Sequence, residues 1–402
     1  MTLISWKSGA AAALLIALTA LVLAGCGSSD STSSSTAASE NESTQEATST
    51  ETASADYPAA EFEKLIKETQ EPPSKWPGPT SSPKAAPGNP LVFNVPSTKA
   101  AEGVNRVTAG LEGAAKALGW RFKSPVNPEG NPEEVAAGIE QGIQEGADVI
   151  TIIGFESKLA GSAIEKASKA GILVTCVSCG EDPANFSPTF TARETPFNFA
   201  HQGEIMAAFV AVDSGGTAKT AVLNDPEFPV VQQRYEKWLQ AYPKCTGCEE
   251  VDHQDFTAAE IGPPLGEKSQ AVLQSNPDAE YLYVGFDGAA EAVAQAMAQP
   301  GAAQAKIVSF DGNKANVALV GEGLQYATIA EPVEWTAWAA MDNINRELQN
   351  EPPDKSEGSE IPSRLITEEN AAEYEDEGYL GDLDFEKKYE ELWSTGHTSS
   401  AP

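Results

Sequence analysis

"YLYVGFDGAAEA" (Tyr281–Ala292) and "KIVSFDGNKANV" (Lys306–Val317) read as two copies of one pattern: an apolar run of strand type, then Phe-Asp-Gly, then a helix-like segment. Strands this apolar are buried on both faces, and a helical period after each predicts a parallel α/β sheet. In open sheets of that kind ligands bind beyond the carboxyl ends of the strands, near a topological switch point. Asp287 and Asp311 each fall at such an end, where each can cap the next helix while aiming an oxygen at the crevice. Phe286 and Phe310 each set an apolar face beside that polar group, a pairing suited to a small polar ring. Plain helix caps with core phenylalanines are the alternative.

The pattern extends in both directions. Upstream, "LVFNV", "RFKSPV", "DVITII" and "ILVTCV" alternate with helical faces such as Val104, Val107, Leu111, Ala115 and Leu118, with glycine stops at Gly119, Gly146 and Gly171. A second set runs through "KTAVL", a strand near Glu249–Val251, "YLYV", "KIVSF" and "YATIA", and a strand and short helix follow. The fold class expected is therefore α/β, with two Rossmann-like lobes. The first lobe is read as 91–195, completed by about 332–352. The second is read as 196–331, completed by about 353–393. Residues 57–90 read as a short helix and an extended connector, since "EPPSKWPGPTSSPKAAPGNP" carries seven prolines. Residues 394–402 read as a disordered tail.

The N-terminus sets the compartment. The apolar run Ala10–Ala24 has the length of a signal-peptide core rather than of a membrane span. Leu23-Ala24-Gly25-Cys26 resembles the bacterial lipobox, which implies cleavage after residue 25 and a diacylglycerol on the Cys26 thiol; an ordinary signal peptide with an incidental cysteine is the alternative. Residues 26–56 are mostly Ser, Thr, Ala and Glu, which predicts a disordered tether. An extracytoplasmic, membrane-anchored protein follows, in the periplasm or on the cell surface. Acidic residues outnumber basic ones by 59 to 26, which disfavours nucleic acid or an anionic membrane as a partner. Outside the cytosol the pairs Cys176/Cys179 and Cys245/Cys248 are candidate disulfides. A zinc site or a thioredoxin-like pair is less consistent with their placement.

With "IVSFDG…GLQYATIAEP" in view, the chain from about Leu91 to Trp393 resembles the type I periplasmic binding proteins, most of all their ribose-binding branch. The resemblance implies two lobes joined by a three-stranded hinge that closes on a solute, which is delivered to an ABC permease in the membrane. Residue by residue, the family's Phe-Asp matches Phe310 and Asp311, and its hinge acceptor corresponds to Glu331. Its second-lobe Asp matches Asp287, with Phe286 where the family has Asn. Its Asp-Arg clamp falls on Ser178-Cys179, and its second-lobe Arg lands near Gln232, with Arg234 two residues on. The aromatic pair after the first strand falls on Gly103 and Val104. The fold correspondence is close, whereas the sugar-clamping residues are largely replaced.

Candidate ligand-binding residues are accordingly Ser97, Thr98, Glu156, Ser178, Asp225, Gln232, Phe286, Asp287, Phe310, Asp311 and Glu331, with Lys99, Glu102 and Glu181 as further polar groups. This mostly acidic set suits polyol hydroxyls, or a ligand with a cationic group. No cofactor and no metal site are called for: His201, His253 and His397 lack ligand spacing. Phosphate-binding loops, a dinucleotide fingerprint and a nucleophile elbow are all missing, so catalysis is not expected. The function expected is that of a monomeric solute-binding lipoprotein of an ABC importer, for a sugar, polyol or similar solute. A receptor of the same fold for an amino-acid or autoinducer-type ligand, and a lipid-anchored enzyme, are the alternatives.

Overall fold

The computed structural model describes residues 57–180, 197–354, 358 and 360–396, all within one compact unit, Ser54–Pro402. The expectations for the signal peptide, Cys26, the tether, Glu181 and the last six residues of the tail lie outside the described residues. Among the described residues no helix is long and apolar enough to cross a membrane.

Helix α1 (Ala59–Gln70) precedes the first lobe, in which β1 (Leu91–Pro96), α2 (Glu102–Ala117), β2 (Arg121–Lys123), α3 (Pro132–Gln144), β3 (Val149–Ile153), α4 (Gly161–Lys169) and β4 (Leu173–Val177) alternate. The four strands run parallel in the order β2-β1-β3-β4. Local chemistry starts α3, whereas the helices Asp287–Met297 and Lys314–Gly321 follow Phe286 and Asn313 without a side-chain cap, so neither Asp287 nor Asp311 is the helix cap the sequence suggested. Asn131 caps α3 through its Oδ1, which accepts from the Glu133 amide at 2.8 Å, and Pro132 opens the first turn.

The second lobe follows: α5 (Phe199–Asp213), β5 (Lys219–Asn224), α6 (Pro229–Ala241), β6 (Glu249–Asp255), α7 (Pro263–Ser275), β7 (Tyr281–Val284), α8 (Asp287–Met297), β8 (Lys306–Asp311), α9 (Lys314–Gly321) and β9 (Ala327–Ala330). The chain then returns through α10 (Val333–Leu348), β10 (Arg364–Thr367) and α11 (Phe385–Thr395). The second sheet has the order β10-β9-β8-β7-β5-β6 and is parallel except for β10 against β9. Two crossings between the lobes are described, after β9 and between α10 and β10. The third falls on residues outside the described set.

Two boundaries differ from the sequence reading. The segment 353–393 is divided: β10 joins the second sheet, but α11 packs on the first lobe's core. Phe385, Tyr389 and Trp393 recur every four residues, one helical face. That face meets the aromatic face of α10, with Trp338 stacked on Trp393 at 5.3 Å and Trp335 on Phe385 at 5.6 Å. Nor does the folded body begin at Leu91. Phe62 of α1 is fully buried against Ala208 and Ala211 of α5. The proline-rich stretch then lies along α10: Trp76 stacks on Trp335 at 5.1 Å, and Asn345 binds both the Ala86 amide (2.8 Å) and the Pro83 carbonyl (3.0 Å). Proline makes this segment extended, while tryptophan and buried α10 side chains fix it in place.

Candidate functional site

The carboxyl ends of the two sheets meet. Gln233 of α6 donates to the carbonyl of Gly180, which follows β4, and Arg106 of α2 donates to the Asp311 carbonyl at the end of β8 at 3.3 Å. A Cβ on Gly180 would lie 3.0 Å from the Val230 amide, so the loop after β4 touches the start of α6.

On the first-lobe side three strand ends converge. Ser97 follows β1, Gly154 follows β3 and Ser178 follows β4. A Cβ on Gly154 would lie 3.3 Å from Ser97 Oγ and 3.9 Å from the Ser178 carbonyl oxygen, and its φ of +59° suits glycine. Ser97 and Ser178 are buried, and among the described residues neither hydroxyl has a protein partner. Thr98 instead accepts from the Ala100 amide at 3.0 Å, and Glu156, partly exposed, pairs with Lys158 at the rim.

On the second-lobe side, Asn224 and Asp225 end β5, Phe286 follows β7, Asp311 ends β8 and Glu331 follows β9. Arg234 of α6 sits among them, 2% exposed. It binds Gln202 Oε1 at 2.7 Å, Asp311 Oδ1 at 2.9 Å and Glu331 Oε2 at 3.0 Å, and lies 5.0 Å from the Phe310 ring centroid. Arg106 makes a bidentate pair with Glu334 (2.8 and 2.9 Å) and also bonds Asn313 Oδ1 at 3.1 Å and the Tyr379 carbonyl at 2.6 Å. Two guanidiniums therefore stand inside what the sequence suggested was an acid-lined cleft. Burial pushes the Glu331 carboxyl up to about 7, with Arg234 opposing, and Asp311 is raised in the same way. Asp225 has one oxygen on the Glu227 amide at 2.9 Å and the other without a protein partner. Burial, then Glu227, Asp255 and Glu260, push it up to about 7.

The two Phe-Asp-Gly copies are not structurally equivalent. The strands pair as Tyr281↔Lys306 and Tyr283↔Val308, an offset of 306 − 281 = 25, whereas the sequence copies are offset by 310 − 286 = 24. A one-residue slip turns side chains to the opposite face. Two expectations are corrected on that ground. Asp287 does not aim into the crevice: it is fully buried behind it, accepting from Ser309, from the Asn313 amide at 2.9 Å and from Thr328 Oγ1 at 3.0 Å. Phe310 is a core residue, 5.3 Å from the Tyr283 ring, rather than an apolar wall of the cleft. Phe286 lies against Phe228 and Phe256, and Asp311 reaches Arg234. Gln232 serves its neighbour, accepting from Asn224 Nδ2 at 3.1 Å.

Sequence reasoning passed over Arg106, Asn224 and Gln202, and noted Arg234 only as a neighbour of Gln232. Arg234 shares a helical face with Val231, Tyr235 and Trp238, and a cation inside an apolar stripe signals buried acidic partners. Arg106 is flanked at helical spacing by Gly103 and Gly110, and Gly110 lets α10, which carries the partner Glu334, approach closely. Cys176 and Cys179, and Cys245 and Cys248, lie at disulfide distance, with Cα separations of 5.9 Å and 5.3 Å.

Residues 92–352 match the model of the periplasmic binding protein domain. No curated protein matches the chain. Among solved structures, an ABC transporter periplasmic solute-binding protein from Actinobacillus succinogenes 130z with bound D-allose is 18% identical, with a TM-score of 0.63 over 71% of this chain and 100% of its own. The 5-methylthioribose transporter solute-binding protein of Thermotoga lettingae TMO, in complex with 5-methylthioribose, is 18% identical, with a TM-score of 0.64 over 76% and 99%. The Caulobacter myo-inositol binding protein, bound to myo-inositol, is 16% identical, with a TM-score of 0.60 over 72% and 96%.

Proposed function

The chain belongs to the periplasmic binding protein family, and from that premise we propose that it captures a small polar solute, of sugar or polyol size and polarity, between its lobes and delivers it to an ABC permease. The family is one of extracytoplasmic, non-enzymatic binding proteins. Attachment through a lipid on Cys26 is part of the proposal and rests on the lipobox-like stretch alone.

One observation carries the reading. Among the described residues Ser97 Oγ, Ser178 Oγ, Asn224 Oδ1 and Asp225 Oδ2 are buried polar atoms without protein partners, and all four stand at strand ends on the sides where the lobes meet. A buried polar atom left unsatisfied costs ~1–3 kcal/mol, so two at the strand ends of each lobe favour a hydroxyl-bearing solute between the lobes. The three relatives named above bind D-allose, 5-methylthioribose and myo-inositol, solutes of that chemistry.

The test is calorimetry of the purified chain against a panel of monosaccharides, polyols and their amino derivatives. At least one member is expected to bind, and a Ser97→Ala/Ser178→Ala double variant is expected to weaken it by ~1–3 kcal/mol, the worth of two neutral hydrogen bonds. Equal affinity of the double variant would remove the first-lobe strand ends from the site.

A further inference from the structure

Resting on the solute-binding reading, we propose that the solute carries a cationic nitrogen, an ammonium or amidinium, which docks on Asn224 and Asp225 at the carboxyl end of β5. The two residues are 1% and 0% exposed, and each keeps one acceptor oxygen without a protein partner. The orientation of the Asn224 amide is dictated by a chain of bonds. The Glu236 carboxylate only accepts, so it takes Nε2 of Gln232, at 3.2 Å. Gln232 must then turn its Oε1 to Nδ2 of Asn224, at 3.1 Å, and Asn224 is left presenting Oδ1. The first carboxylate oxygen of Asp225 is taken by the Glu227 amide, and the second is open. With Asp225 ionised, consecutive residues thus offer two acceptors and no donor. Glycine at 285 lets Val231 of α6 pack against this strand end, since a Cβ there would lie 2.6 Å from Val231 Cγ1, and it sets the backbone of 285 within 3.7 Å of Asn224 Oδ1, measured from that same Cβ position.

The surrounding charge selects among possible donors. The charges that act most strongly on Asp225 are Glu227, Asp255 and Glu260, all acidic. Lys268, the nearby cation, is held by Glu260 at 2.7 Å and by the Asp255 carbonyl at 2.8 Å. The guanidiniums of the cleft are committed as well, Arg234 to Asp311 and Glu331 and Arg106 to Glu334. A ligand hydroxyl would complete the hydrogen bonds and leave a buried carboxylate uncompensated. A cationic nitrogen completes the bonds and neutralises the charge.

The experiment is calorimetry on the full chain with matched probes: D-glucosamine against D-glucose, D-galactosamine against D-galactose, and agmatine and putrescine as amines without a sugar ring. Expected is an amine-bearing probe that binds at least about tenfold tighter than its neutral counterpart. Asp225→Asn, of the same shape, is expected to abolish that preference, bringing each amine and its neutral counterpart to within about threefold of one another. If the variant does not fold, the wild-type ratio decides alone. Neutral probes binding as tightly as amines, with Asp225→Asn affecting both alike, would overturn the inference and leave the solute-binding reading intact. Silence toward every probe would overturn both.

Discussion

Asp311 is held in an unusual state in two respects. Its φ is +114°, a region L side chains avoid, and its carboxylate is buried against Arg234 at 2.9 Å. The strain and the ion pair together fix a charged group at the cleft, where removing one partner leaves the other buried and uncompensated. Asp311→Ala is therefore expected to weaken ligand binding by ~1–3 kcal/mol, by calorimetry. Asp225 makes a prediction about pH. Burial and the acids Glu227, Asp255 and Glu260 push it up to about 7, and Lys268 is engaged elsewhere. A folded-state value above the unfolded one means the native protein holds this proton more tightly. Its stabilising contribution is present below about pH 4 and is lost as pH rises toward 7. Burial pushes Glu331 and Asp287 up to about 7 too, with the same sign. The ligand-free protein is thus expected to melt at lower temperature at pH 8 than at pH 5. Asp225→Asn is expected to recover at least ~1.4 kcal/mol at pH 8, the equivalent of one pKa unit. A melting temperature that rises from pH 5 to pH 8 would contradict the assignment.

At the scale of elements, close helix approach places the arginines. A Cβ on Gly203 of α5 would overlap the carbonyl of Arg234 in α6, and one on Gly110 of α2 would lie 2.9 Å from Glu334 Cα in α10. Neither backbone can yield without moving a guanidinium that the cleft uses. Gly203→Ala is expected to destabilise the fold by ~1–3 kcal/mol, the usual cost of overpacking, and to weaken ligand binding as Arg234 shifts. The elements themselves were legible in the sequence: apolar strands, helical stripes and glycine stops placed both sheets and the return of the chain. What the repeat concealed was register. Two identical tripeptides look equivalent in sequence, but the strand pairing is offset by one more residue than the copies are, so Asp287 is sealed behind the cleft while Asp311 keeps a partly exposed side chain on Arg234. Periodicity carries no information on that slip, because it depends on how β7 and β8 dock. The same limit hid Asn224, whose significance comes from Gln232 and Glu236 on the next helix.

At the scale of the whole molecule, residues 57–90 change the mechanics. They begin against α5 of the second lobe and end along α10 of the first, so the chain spans the lobes once more beyond the hinge. Composition predicted a short helix and an extended connector, and what it could not show was that Trp76 has a slot beside Trp335 and Tyr389. Trp76→Ala is expected to lower stability by ~1–3 kcal/mol in chemical denaturation, since the ring is only partly buried. Cys26→Ala is expected to move the protein from the membrane to the soluble fraction on cell fractionation, and a variant that remains with the membrane would contradict the lipid anchor. The central claim, that a solute is held where the lobes meet, is tested most directly by a native mass spectrum of the purified chain, with release and identification of whatever it retains. A one-to-one mass excess from a small polar compound is expected, and it should disappear when Ser97, Ser178 and Asp225 are replaced together by Ala, Ala and Asn. An unliganded mass that no solute on the panel can change, or an excess that survives the triple replacement, would contradict it.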